Sequence, residues 1–110
     1  MIETTVGVGI ADKMFSNYFK YLVNSFFKIL PMWENKEATL KTYMNSLQIE
    51  LLGSEELISE LKYDSNFITL TSILQYLIDN PDCPVKNVKR EVFRAINICN
   101  KIKDRYDEVV

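Results

Sequence analysis

From Val85 to Val109 the chain returns to an apolar side chain at every third or fourth residue: Val85, Val88, Val92, Ala95, Cys99, Ile102, Tyr106 and Val109. Eight successive hits on that spacing describe one face of an α-helix, and a strand, with its period of two, cannot sort them to one side. A helix this long cannot bury such a seam by itself. The rest of the chain must supply helices of similar length to cover it.

The upstream segments read the same way. Asp12 to Leu30 repeats apolar residues at Met14, Phe15, Tyr18, Phe19, Leu22, Phe26, Ile29 and Leu30. Asp12 is the expected N-cap and Pro31 the expected stop, because proline disfavours helical geometry in the residue before it. Met32 to Lys36 then reads as a connector carrying Trp33, the single tryptophan. A second helix is expected from Lys36 to Leu52, burying Leu40, Met44, Leu47 and Leu51. Gly53 stands where a left-handed residue closes a helix, and Ser54 reads as a fresh N-cap, so residues 55–63 are expected to form a short helix or a bent continuation. A third long helix is expected over 66–79, with Asp64, Ser65 and Asn66 as capping candidates. The stiff turn Asn80-Pro81-Asp82-Cys83-Pro84 leads to the last helix, Val85 to Asp107.

Short connections between long amphipathic helices favour antiparallel neighbours. The expected fold is therefore all-α: an antiparallel four-helix bundle with a short extra helix near 55–63. It would occupy residues 12–110 as a single domain, preceded by a flexible N-terminal arm at 1–11, where Gly7 and Gly9 fall and no helical period is seen. Three glycines and three prolines in 110 residues are too few for a turn-rich β architecture.

The residues missing from the sequence narrow its chemistry. There is no histidine, which removes the commonest general base and metal ligand. No glycine-rich phosphate loop occurs, and two separated cysteines, Cys83 and Cys99, make no zinc site of standard spacing. Glu50, Glu55, Glu56 and Glu60 fall on polar faces without histidine partners. The reading is a non-enzymatic protein with no catalytic residue, no cofactor and no metal. No stretch approaches the ~18 uncharged apolar residues of a membrane span, and the N-terminus has no basic start and no apolar run. A cytoplasmic protein with reduced thiols and no membrane contact is expected. Ile, Lys and Asn, whose codons are AT-rich, make up 11, 10 and 9 residues, which points to a low-GC bacterium or its phage.

Two surfaces rise above background. On the first helix, at about 100° per residue, apolar side chains cover roughly 240° of the circumference, about twice what one buried stripe needs. Either this helix is central to the domain, or part of it meets another chain. Its Tyr21 and Phe27, with Trp33 just beyond, are the aromatic candidates for such contact. The second surface is charge. Residues 34–82 hold nine acids and three bases, whereas 85–105 hold seven bases and two acids. On the last helix Lys86, Arg90, Arg94, Lys101 and Arg105 share an arc of about 100° opposite the apolar seam. A basic stripe fits an acidic protein surface or a nucleic acid. The chain's net charge of −2 favours the protein, since dedicated nucleic-acid binders are usually basic throughout. The leading expectation is a protein-interaction module, self-associating or part of a bacterial or phage assembly. The second is an accessory nucleic-acid-binding protein using the basic stripe.

Overall fold

The computed structural model describes residues 2–3, 9–10 and 12–107, with side chains over 13–105. Five helices follow one another: α1 (Asp12–Glu34), α2 (Leu40–Leu57), the short α3 (Ser59–Lys62), α4 (Ser65–Asp79) and α5 (Val85–Asp107). Before them, two-residue strands β1 (Ile2–Glu3) and β2 (Gly9–Ile10) pair antiparallel, Ile2 opposite Ile10, and β1 lies against α3. The other residues of the expected arm lie outside the described residues.

The protein is an all-α bundle of four long helices. Neighbouring long helices run antiparallel: Phe27 meets Phe93 while Trp33 at the end of α1 reaches Cys83 just before α5, and Leu40 and Met44 at the start of α2 lie by Ile78 near the end of α4. Between α1 and α2, Tyr18 Oη lies 2.8 Å from Ser54 Oγ, and Tyr43 Oη donates to the Ser25 carbonyl at 2.8 Å. Between α2 and α4, Gln48 Nε2 donates to the Thr71 carbonyl at 3.0 Å. Arg105 reaches from the end of α5 to Asp64 at the start of α4, 2.8 Å away. Helices α1 and α5 share the most extensive contact. Across the centre, Phe19 meets Phe67 edge-to-face at 6.2 Å between ring centroids.

The core follows the heptad spacing of the sequence. In α1 the buried apolar residues are Phe15, Phe19, Leu22, Phe26, Ile29 and Trp33, and in α5 they are Val88, Val92, Ala95, Cys99 and Ile102, joined by Ile96 and Ile98. Val85, assigned to the seam, is exposed. The Tyr106 side chain and Val109 lie outside the described residues. Burial pushes the Cys99 thiol up to about 12 and the Tyr18 phenol, despite its hydrogen bond to Ser54, also to about 12. Cys83 is buried as well, and neither cysteine is in a disulfide.

The structure corrects three boundaries. Pro31 does not end the first helix; it lies inside α1. Its ring leaves the Phe27 carbonyl without a helical donor, a disruption of about 3 kcal/mol. One turn further on, Trp33 occupies the next heptad position after Ile29, is only 8 % exposed, and donates its indole N–H to the Cys83 carbonyl at 3.2 Å. Burying a large apolar side chain recovers about 1.5–3 kcal/mol and the hydrogen bond adds to it, so the helix continues. It then closes in a Schellman arrangement: the Lys36 amide donates to Trp33 at 3.1 Å and the Glu37 amide to Met32 at 3.0 Å. Lys36 itself takes the left-handed position, φ 51°. That turn delays α2 to Leu40.

The second correction is Gly53, which closes nothing. It lies within α2, and a Cβ added there would meet no atom within 4 Å. Ser54 is likewise internal, its hydroxyl engaged by Tyr18 rather than capping a helix. The break comes at Ile58, extended at φ −101°, ψ 110° and buried, so the expected 55–63 helix divides between the end of α2 and α3. The third boundary moves by one residue. Asp64 is the working cap of α4, its Oδ1 accepting from the Asn66 and Phe67 amides at 2.8 and 3.1 Å.

Candidate protein-interaction face

Pairing α1 with α5 brings together charges that lie far apart in the sequence. Of the chain's thirteen bases, all but Lys36, Lys41 and Lys62 fall on these two helices. On the solvent side of α5, Lys86, Arg90, Arg94 and Lys101 are exposed, as the wheel required. Glu91 lies between two of them: Arg94 Nη1 reaches Glu91 Oε2 at 2.9 Å and Arg90 Nε reaches Oε1 at 3.7 Å. That pairing relieves part of the i, i+4 repulsion within the stripe. Lys20 on α1, and Lys86, Lys89 and Lys101 on α5, make no ion pair among the described residues.

An aromatic pair interrupts this face. Phe27 of α1 and Phe93 of α5 meet edge-to-face, centroids 5.7 Å apart, and remain 42 % and 39 % exposed. Lys20 lies one heptad before Phe27, and Lys86 one heptad before Phe93, so each base is on the same side of its helix as the ring. The result is an apolar platform bordered by uncommitted ammonium groups. Such a surface can anchor an apolar side chain while pairing with surrounding carboxylates.

The residues proposed from sequence therefore divide. Lys86, Arg90 and Lys101 are exposed on α5 and Phe27 meets Phe93 across the α1/α5 seam, whereas Arg94, with Glu91, lines a groove against Ser72, Ile73 and Tyr76 of α4. Arg105 lies at the end of α5 and turns to Asp64. Burial raises the Asp64 carboxyl, but the hydrogen bond from Arg105 and those from the Phe67 and Asn66 amides outweigh it and hold the group below its usual range. Tyr21 looks the other way, its hydroxyl donating to Glu50 Oε2 on α2 at 3.2 Å. Trp33 belongs to the core and borders a cleft of about 540 Å³ with Glu37, Leu40, Pro81 and Pro84. Sequence reasoning overlooked Phe93, Lys89 and the part played by Lys20. Lys20 stood in the polar arc of α1, and Lys89 and Phe93 beside the stripe on α5, but joining them required knowing that α1 and α5 are neighbours on that side.

Among the described residues no helix is long and apolar enough to cross a membrane, and no three acid or thiol side chains converge as metal ligands. Comparison with protein-family models, curated proteins and solved structures finds no match.

Proposed function

We propose that the protein is a non-enzymatic protein-interaction module of the cytoplasm, a subunit that docks through its α1/α5 face on an acidic surface of another protein. The observation that carries this reading is the Phe27–Phe93 pair set among the bases of α1 and α5. An exposed aromatic pair supplies the desolvated centre that protein interfaces use, and the surrounding charges supply orientation and rate of encounter. The overall acidity of the chain, pI ≈ 5.1, weighs against nucleic acid, whose phosphates the rest of the bundle would repel.

The test uses the full chain and the variant Arg90→Glu/Arg94→Glu. A partner recovered from the native host is identified by mass and the complex rebuilt from purified components. Wild type should form one stoichiometric complex, and the double reversal should weaken it by about 2–5 kcal/mol, the range seen for charge pairs at interfaces. Retention of random-sequence single-stranded DNA by the wild type at physiological salt, lost in the variant, would replace this reading with the nucleic-acid one.

A further inference from the structure

The opposite face of the bundle, formed by α2 and α4, has the reverse character. From Thr42 to Ile49 helix α2 carries no charge, and α4 carries none before Asp79, its last residue. Yet this face is not covered: Ile49 is 72 % exposed, with Leu52 and Ile68 beside it, each nearly half exposed. At about 100° per residue, Lys41, Asn45, Ile49, Leu52 and Glu56 share an arc of roughly 80° on α2.

We propose that this face binds a second copy of the same chain, α2 against α2 and α4 against α4, antiparallel about a twofold axis passing by Ile49. The arrangement of charge selects that occupant. Lys41 lies eight residues before Ile49 and Glu56 seven after, so the twofold brings Lys41 of one copy to within about one helical rise, ~1.5 Å, of the level of Glu56 in the other. The reciprocal pair forms at the other end. The uncharged centre then meets itself, burying Ile49, Leu52 and Ile68. The basic α1/α5 face cannot pair isologously, because it would oppose like charges. Two helices of 18 and 15 residues present a face of roughly 500 Å² in projection, at the low end for specific contacts, so dissociation is expected at roughly 10–100 µM. The inference is independent of the α1/α5 reading, and either can fail alone.

Sedimentation equilibrium of the full chain, from about 5 µM to 1 mM, tests it with five variants of exposed residues. Wild type should show a monomer–dimer equilibrium. Lys41→Glu and Glu56→Lys should each weaken it roughly tenfold at low salt, because each sets like charges at both ends of the interface. Lys41→Glu/Glu56→Lys, with the pair exchanged, should return to within about threefold of wild type, and Ile49→Glu should be a folded monomer by circular dichroism. The proposal is overturned by a wild type that stays monomeric throughout, by an exchanged pair no tighter than the single reversals, or by a dimer that ignores these variants and is broken by Phe27→Lys.

Discussion

Helices α1 and α5 run 23 residues each and meet along rings and branched aliphatics, while α2 and α4 run 18 and 15 and are linked by amides. In the first pair, Phe19, Phe26 and Ile29 of α1 and Val92, Ala95 and Cys99 of α5 are all buried, and the solvent face is charged. In the second, Gln48 is buried at the seam, donating to the Thr71 carbonyl and to Gln75 Oε1 at 3.2 Å, while its own Oε1 has no partner; the solvent face there is nearly neutral. A buried amide with an unmet acceptor costs about 1–3 kcal/mol, so the two pairs differ in how much stability they supply. The first contributes the larger share of the buried apolar residues. The second buries fewer and presents apolar residues to solvent instead.

That contrast predicts where truncation hurts most. Phe26→Ala removes a fully buried ring from the α1/α5 layer and should cost about 3–5 kcal/mol, read from the urea midpoint. A loss below about 1 kcal/mol would mean that α1 is not the spine of the core. Next in size is the link between the pairs. Asp64→Ala removes the cap of α4 and the anchor of Arg105 together, and should cost about 1–2 kcal/mol near neutral pH. Because the folded protein holds this carboxyl below its usual range, its contribution is complete above about pH 4 and is lost as the pH falls through the lowered value. The variant's deficit should therefore shrink in acid, and a deficit that stays constant to pH 2 would remove Asp64 from that role. The smallest effect belongs to α2. Gly53 is helical with open space around it, so Gly53→Ala should stabilise by about 0.5–1 kcal/mol, seen as a rise in Tm. Destabilisation there would mean that the position needs glycine, as an ending of α2 would require.

How much of this could be read beforehand divides along the same lines. The four long helices, their antiparallel order and the α5 boundaries follow from spacing, because a seam such as Val88–Val92–Ala95–Cys99 has one helical solution. The errors lie where a local signal competes with burial. Pro31 and Gly53 both announce helix ends, and both are overruled: Trp33 gains a core position beyond the proline, and α2 continues to Leu57 because nothing near Gly53 demands a turn. The basic stripe on α5 was legible from one helical wheel. Its completion by Lys20 and Phe27 was not, since it depends on which helix packs beside α5. The neutrality of the α2/α4 face was visible in the composition of α4 but acquires meaning only when the two helices are set side by side.

The central claim is that the bundle carries two working faces of opposite character, one basic and one neutral. Amide chemical shifts of the isotopically labelled full chain, followed on dilution from about 500 to 10 µM and then on adding a poly-glutamate peptide to the dilute sample, address both faces at once. The account predicts that dilution moves Asn45, Ile49, Leu52 and Ile68 and leaves α5 still, while the acidic peptide moves Lys20, Phe27, Lys89, Phe93 and their neighbours and leaves α2 and α4 still. Shifts on dilution centred on Phe27 and Phe93, or a peptide response spread evenly over both faces, would contradict it.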